Sequence, residues 1–316
     1  MALFTFEPDV SNIHGRYARQ MAPVLTVEPG DTVRFRTPDV TWGLEQHRDA
    51  GSRRIIEPRD IGIEGGPAMC GPVAVKGAQP GMALELRFEA IEPGDWGWTW
   101  VGPGHFTGAL RASLGMEPDA ERMMRWRLDA DAGIGINEQG HRVTLAPFMG
   151  TVGVSPGEDR TGWHPSACGG NMDCKLLTAG STLWLPIRVP GALFSIGDGH
   201  ARQGDGEVGG SAIECPMRRV DVGVGLRSDL KLTAPLARTS QGWVTVGVAE
   251  DLDAAIAMAM GAMLDWMVIR LGVDRVDALA LASVAVDLRL TQVVNGVRGV
   301  HAVWPEDAIT IEGVLW

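Results

Sequence analysis

The densest group of polar residues lies between Thr161 and Glu214, and nearly all of them stand beside a glycine. The candidates for chemistry are Asn171, Asp173, Asp198, His200, Gln203, Asp205, Glu207 and Glu214. Because glycines let a chain turn sharply, these side chains are expected at loop tips fed by strands. In Asp198-Gly199-His200 a carboxylate and an imidazole stand two positions apart, and in an extended segment they point to one face. Both side chains can therefore reach a single cation.

This mixture of oxygen and nitrogen donors suits a hard or borderline divalent metal. Three protein ligands and one water would form a catalytic site in which the metal acidifies the water. A nearby carboxylate outside the ligand set would then act as general base. The alternative is that the Asp-Gly and Gly-Asp pairs only build turns, and residue types alone leave both interpretations open.

Other nucleophiles are weaker candidates. Ser195 and Ser211 lie near His200, but neither occupies a G-x-S-x-G nucleophile elbow. Cys168 and Cys174 flank the GGN turn, yet unpaired cysteines are usually small buried apolar residues. Serine and thiol catalysis therefore stay minor alternatives.

Three indoles alternate in the segment DWGWTW, at Trp96, Trp98 and Trp100, so they share one face of a strand. Packing in the core or at an interface is the favoured role for this face. The wall of a binding pocket is the alternative.

The elements that position these residues are predicted to be mostly strands. With 42 glycines and 19 prolines spread between short apolar runs, the chain has many turns and therefore many short strands. Leu84, Leu86 and Phe88 alternate with charged residues, which is the period of a half-buried strand.

One clear helix follows, capped by Asp251 or Asp253, with apolar residues at helical spacing until Gly272 ends it. A second helix is predicted from about Asp274, and the alternation over 284–291 predicts a strand. The sequence thus predicts a mainly β fold, a β-sandwich or barrel-like body, with a smaller α/β C-terminal portion. The predicted segments are a β-rich module over 1–140, a β-rich module carrying the polar loops over 141–250, and the α/β portion over 251–316.

Charge and composition exclude several classes of protein. The 28 Lys and Arg residues face 39 Asp and Glu residues, and a net charge of −11 argues against nucleic acid or an anionic membrane as partner. The longest uninterrupted apolar run, 254–264, is too short to span a bilayer. The N-terminal residues lack a signal-peptide pattern, so a cytoplasmic location is expected. Four cysteines without a C-x-x-C pair predict neither a disulfide framework nor a thiolate zinc cage. The abundance of tryptophan leads us to expect a homodimer.

Five stretches resemble the acetamidase/formamidase family, in the family's order and over most of the chain. They are HGRYARQMAPVLTVEPGDTVRF (14–35), GPVAVKGAQPGMALELRFEAIEP (71–93), HPSACGGNMD (164–173), LPIRVPGALFSIGDGHARQGDGEVGGSAIE (185–214) and SVAVDLRLTQVVN (283–295). The block GDGHARQGDGE is the most specific of them. The loop 164–171 departs from the family, because Ser166, Ala167 and Cys168 stand where relatives often carry a more polar stretch.

The resemblance implies hydrolysis of short aliphatic, non-peptide amides to carboxylate and ammonia by a metal-activated water. It also implies a divalent metal, Zn²⁺ first and Ca²⁺ second, and a small amide as substrate. Some relatives act on cyclic amides such as γ-lactams, and the departing loop leaves the choice of substrate open.

On this basis we predict a role for each polar residue. Asp173, Asp198 and His200 are metal ligands, and Glu214 is either a further ligand or a partner behind one. Glu207 is the general base. Asn171 and Gln203 bind the amide or steady the oxyanion. The competing hypothesis is a non-catalytic β-protein that binds a small molecule or carbohydrate and holds a structural Ca²⁺.

Overall fold

A computed structural model describes residues 1–18, 20–47, 53–58, 65–103 and 108–310 of the chain. The strands of the first half are β1 Leu3–Phe6, β2 Ile13–His14, β3 Arg16–Tyr17, β4 Leu25–Val27, β5 Thr32–Thr37, β6 Met69–Val75, β7 Ala83–Pro93, β8 Trp96–Val101, β9 Arg122–Asp129, β10 Ile134–Asn137, β11 Arg142–Thr144 and β12 Phe148–Val154. Those of the second half are β13 Arg160–Thr161, β14 Gly169–Asn171, β15 Thr182–Pro186, β16 Phe194–His200, β17 Met217–Arg227, β18 Leu236–Thr239, β19 Gly242–Ala249, β20 Asp287–Gln292 and β21 Arg298–Trp304. The helices are α1 Gly108–Ser113, α2 Leu252–Leu271 and α3 Arg275–Ala285. The mainly β class with a small α/β C-terminal portion is confirmed.

Two large sheets form the body of the fold. One sheet has nine strands in the order β1-β5-β17-β7-β15-β18-β19-β21-β20. The other runs β14-β12-β16-β6-β2, with β4 added beside β6. Side chains of both sheets share one hydrophobic core, in which Phe35 of β5 meets Phe194 of β16 edge to face, with ring centroids 6.2 Å apart. This packing of two sheets on a common core is the sandwich that the sequence predicts.

The central strands owe their positions to two different sequence patterns. In β7 the predicted alternation is confirmed, because Leu84, Leu86 and Phe88 are buried while the residues between them are partly exposed. By contrast, every residue of β12 and of β16 is buried, as expected for strands covered on both faces. β12 and β16 pair antiparallel, and their register sets Phe148 opposite His200. The end of β16 is therefore held deep inside the protein.

The C-terminal helices begin and end where the caps predict. Asp251 caps α2 by accepting from the backbone N–H of Ala254, and Gly272 ends the helix with a φ of 67°. Asp274 caps α3 in the same way. The following strand starts at Asp287, later than the alternation over 284–291 predicts. The reason is that the backbone N–H of Val286 still closes the last turn of α3 on Ala282.

Helix α2 lies across β19 and β21, and Ala255, Ala259 and Met263 are among its buried residues. It extends beyond the apolar run 254–264, and by length and composition alone it is long and apolar enough to cross a membrane. Core helices pass the same test, so the absence of a membrane partner stays a prediction.

The nine-stranded sheet takes strands from all three predicted segments, 1–140, 141–250 and 251–316. The division of the chain into these modules also stays a prediction.

Candidate active site

Asp198 and His200 form the centre of a buried polar cluster at the end of β16. Both are at most 2% exposed, and Asp198 has a φ of 59°, a left-handed conformation that is uncommon for a residue other than glycine. The Nε2 atom of His200 lies 3.1 Å from Oδ1 of Asp198. The carboxylate and the imidazole therefore face one point, as their spacing predicts.

Asp173 reaches the same point from the neighbouring strand. It follows β14, which pairs with β12, and its backbone N–H donates to the carbonyl of Gly150 in β12. A Cβ atom on Gly150 would lie 2.7 Å from Oδ1 of Asp173, 2.8 Å from Oδ2 of Asp198 and 2.8 Å from Cε1 of His200. Gly150 thus forms the floor of the cluster, since any side chain there would collide with all three residues.

Two further carboxylates come from the loop after β16. Glu214 forms backbone bridges to Trp98 and to His200, its Oε1 accepts from the backbone N–H of Ala212, and its Oε2 lies 3.0 Å from Nε2 of His200. Glu207 has a φ of 47° and is hydrogen-bonded to Asp173. The donor atoms of Asp173, Asp198 and His200 lie within 4.8 Å of one another, as do those of His200, Glu207 and Glu214.

Gln203 holds the ring of His200 in place. Its Nε2 donates to the backbone carbonyl of Asp173 over 2.9 Å, so its Oε1 is left to accept from Nδ1 of His200, also over 2.9 Å. When the ring is neutral, its proton therefore lies on Nδ1 and the lone pair of Nε2 points at the carboxylates. Gln203 is absent from the described lining of the adjacent cavity, which favours a positioning role over the predicted contact with the amide.

Asn171 and Asn295 tie the carboxylates together. With its nitrogen turned toward the acids, the amide of Asn171 donates to Oδ2 of Asp198 over 2.7 Å and to Oδ1 of Asp173 over 3.2 Å. Its oxygen then accepts from Nδ2 of Asn295 over 3.0 Å. Asn295, in the connection between β20 and β21, also donates to Oδ2 of Asp173. Sequence reasoning did not single out Asn295, although it ends the matching stretch 283–295.

Acidic groups dominate the cluster. Four carboxylates surround one imidazole, and Asp173, Asp198, Glu207 and Glu214 are all at most 7% exposed. Burial, followed by the charge of Asp198, raises the pKa of Asp173 to about 8. Burial likewise raises the pKa of Glu214 to about 7 and the pKa of Glu207 well above its usual range. Burial alone would lower the pKa of His200, but Glu214 and Asp198 outweigh it and raise that pKa well above its usual value. Without a cation, the cluster must hold protons instead.

The residues present fit a divalent cation. When His200 is neutral with its proton on Nδ1, the buried Oε2 of Glu214 has no hydrogen-bond donor among the described residues, and the lone pair of Nε2 of His200 faces it from 3.0 Å. Two lone-pair atoms facing each other at 3.0 Å repel unless a proton or a metal ion lies between them. Carboxylate oxygens and an imidazole nitrogen are the donors that divalent metals take in proteins.

A cavity of about 240 Å³ opens on this cluster. Six of the predicted residues contribute to its described lining: Asn171, Asp173, Asp198, His200, Glu207 and Glu214. Trp98, Trp100, Met123 and Trp163 are among its apolar lining residues. The indoles of Trp98 and Trp100 therefore form a pocket wall, which the sequence offered only as the lesser alternative. Strand alternation alone could not place the indoles of Trp98 and Trp100 in a pocket wall, because it does not tell which face of a strand borders a cavity.

Of the remaining candidates, Ser211 lines the cavity, where its hydroxyl donates to the backbone carbonyl of Trp100 over 2.9 Å, and the others lie elsewhere. Asp205 pairs with Lys175 at 3.1 Å near the surface. Oγ of Ser195 lies 2.8 Å from Nε2 of His14 and is fully buried, so it is paired with another histidine than His200. Burial raises the pKa of Cys174 to about 12 and also raises that of Cys168, which disfavours a nucleophilic thiolate.

Comparison with known proteins finds relatives of this architecture. The model of the Acetamidase/Formamidase family matches residues 5–163 and 160–308. The crystal structure of an acetamidase from Bacillus halodurans is similar with a TM-score of 0.83 and 27% identity, covering 96% of this chain and 97% of that chain.

Two curated relatives match over a shorter region. An acetamidase from Mycolicibacterium smegmatis is 27% identical over an alignment of 252 residues, and the match covers 62% of this chain and 61% of the relative. A formamidase from Methylophilus methylotrophus is 24% identical over an alignment of 266 residues, and the match covers 69% of this chain and 64% of the relative. The matched region thus spans less than two thirds of the length of either relative.

Proposed function

The chain belongs to the acetamidase/formamidase family, and from that premise we propose that it hydrolyses a small non-peptide amide to carboxylate and ammonia. The observation that carries this proposal is the buried cluster of four carboxylates and His200 at the floor of a cavity with apolar walls. Such a concave, mostly apolar site with a few convergent polar groups is typical of an enzyme for small molecules. The short aliphatic amides predicted from the sequence fit within it.

We further propose that Asp173, Asp198, His200 and Glu214 hold a divalent cation, Zn²⁺ or alternatively Ca²⁺. When bound, the ion would supply Lewis acidity, lowering the pKa of a water and polarising the amide carbonyl. Gln203 keeps Nε2 of His200 free to be a ligand, and Asn171 and Asn295 keep the carboxylates turned inward. The predicted contact of Asn171 with the substrate remains part of this proposal.

Glu207 is proposed as the general base. It lines the cavity and contacts Asp173, so its carboxylate can take a proton from the attacking water and deliver it to the amide nitrogen. Protonation of that nitrogen is required for ammonia to leave, since the C–N bond of an amide breaks poorly without it.

The test is ammonia release by matched acid-to-amide variants of the same loop. Glu207→Gln removes the proposed base and should lower kcat by about 10²–10⁴-fold. Asp205→Asn removes a carboxylate that pairs with Lys175 outside the cavity and should leave kcat near that of the wild type. If Glu207→Gln retains the wild-type rate, Glu207 is not the base. If the wild-type protein releases no ammonia from any amide, the proposed function is wrong.

A further inference from the structure

Resting on the proposed amide hydrolysis, we propose that the cavity is built for a neutral primary amide with an aromatic acyl group. Benzamide and phenylacetamide are the simplest members of this class. The cavity walls carry this inference through their size, their chemistry and their fixed positions.

The size of the cavity suits an aromatic acyl group. The cavity measures about 240 Å³. An apolar protein cavity of about 150 Å³ is large enough to bind benzene. The volume beyond that is available to a carboxamide group beside the acidic cluster. Formamide and acetamide would fill a small part of this space and leave the remainder to water, against surfaces that hydrogen-bond poorly.

The wall of the cavity is aromatic and apolar. Trp98, Trp100, Trp163 and Met123 contribute to the described lining. The indole N–H of Trp98 donates to Oδ2 of Asp39 over 2.7 Å, and that of Trp163 donates to the carbonyl of Gly65 over 2.8 Å. Because these two N–H groups are bonded to the protein, they are not available to hydrogen-bond a substrate in the cavity. Aromatic rings and a thioether pack favourably against another aromatic ring.

Contacts within the protein hold the wall of the cavity in place before any substrate binds. Trp98 is only 6% exposed, and His47 meets its ring edge to face with centroids 5.2 Å apart. Its partner Asp39 is fully buried and is held by an ion pair with Arg53. A wall fixed in this way costs little ordering on binding, so a ring that fits it gains affinity.

The charges around the cavity further restrict the acyl groups that it can accept. A carboxylate on the acyl group would find no Lys or Arg in the described lining of the cavity and would be desolvated by the indoles. The acyl group should therefore be uncharged.

The experiment compares kcat/KM for acetamide, propionamide, benzamide and phenylacetamide by ammonia release. We expect the better arylamide to exceed acetamide by about tenfold or more, since even a single methylene in an apolar pocket is worth about that factor. If acetamide releases ammonia and kcat/KM for both arylamides is equal to or lower than that for acetamide, the inference is overturned and the proposed function remains intact. No ammonia from any of the four would overturn both.

Two pairs of variants test whether the cavity wall is responsible for the preference for arylamides. Trp100→Ala and Met123→Ala alter the wall, and each should lower the ratio of arylamide to acetamide kcat/KM by about tenfold. Trp96→Ala and Met124→Ala make the same deletions on the same two strands, at positions absent from the described lining, and should leave that ratio unchanged. If one variant fails to fold, the comparison is made with the other matched pair, Trp100→Ala against Trp96→Ala or Met123→Ala against Met124→Ala. Equal ratios in wall and control variants would contradict an aromatic acyl pocket.

Discussion

The side-chain amide of Asn295 donates to the carboxylate of Asp173, although the two residues are 122 positions apart in the sequence. The backbone N–H groups of Val294 and Asn295 in turn donate to Oε1 of Gln292, over 2.8 and 3.0 Å, which fixes the turn that presents Asn295. The connection between β20 and β21 is therefore part of the candidate active site.

Removing the side-chain amide of Asn295 should weaken metal binding at the proposed site. We expect Asn295→Ala to lower metal affinity and kcat by about 10–100-fold, the usual effect of losing a residue that orients a ligand. Metal affinity by competition with a chelating dye and kcat by ammonia release would both be measured, with the melting temperature as a check on folding. Wild-type metal affinity in a folded Asn295→Ala variant would show that Asp173 does not need this partner.

A methyl group added at Gly150 should impair metal binding and activity as much as the loss of a metal ligand. In Gly150→Ala the new Cβ would lie 2.7–2.8 Å from atoms of Asp173, Asp198 and His200, so these side chains must move apart. We expect a loss of more than about tenfold in kcat together with weaker metal binding. Gly204→Ala is the matched control, because a Cβ at Gly204 meets nothing within 4 Å. Activity equal to the wild type in Gly150→Ala would mean that the cluster does not act as one site.

Acid should destabilise the nine-stranded sheet through Asp221. Hydrogen bonds from Arg34, at 2.7 and 2.8 Å, are the main reason that the pKa of Asp221 falls from 3.8 to about 2. Since the pKa is depressed in the folded state, the stabilisation is present above about pH 4 and is lost as the pH falls toward 2. Because Arg34 and Arg219 are both partly exposed, solvent screening reduces the stabilisation to about 1 kcal/mol.

The measurement is urea unfolding of the wild type and Asp221→Asn between pH 6 and pH 2. The variant should be less stable by about 1 kcal/mol at pH 6, and the difference should shrink as Asp221 protonates. A difference that stays constant down to pH 2 would show that the carboxylate charge contributes nothing.

Local signals account for what the sequence predicted well. The caps Asp251 and Gly272 act on their own helix, and the alternation of Leu84, Leu86 and Phe88 reflects one face of one strand. The spacing of Asp198 and His200 is also local, because both side chains belong to the same strand. Such features depend on neighbours in the chain and can be inferred without knowing the tertiary structure.

What the sequence could not reveal depends on pairing between distant strands. Gly150 matters because β12 lies between β14 and β16, and nothing in the spacing of a single glycine indicates that three side chains converge on it. Trp98 borders the cavity because its backbone pairs with Glu214, which follows it by more than a hundred residues. Gln203 is near His200 in sequence, yet only the folded loop turns its amide toward the ring and away from the cavity.

The most direct test of the account is ammonia release before and after removal of metal, with elemental analysis of the same sample. We predict that the purified protein contains a divalent metal, that dialysis against EDTA abolishes ammonia release from amides, and that adding back one metal, Zn²⁺ or Ca²⁺, restores it. His200→Ala should lose both the metal and the activity. Ammonia release that survives complete removal of metal, or a metal-loaded protein that releases no ammonia and merely melts at a lower temperature after chelation, would contradict metal-dependent amide hydrolysis at this cluster.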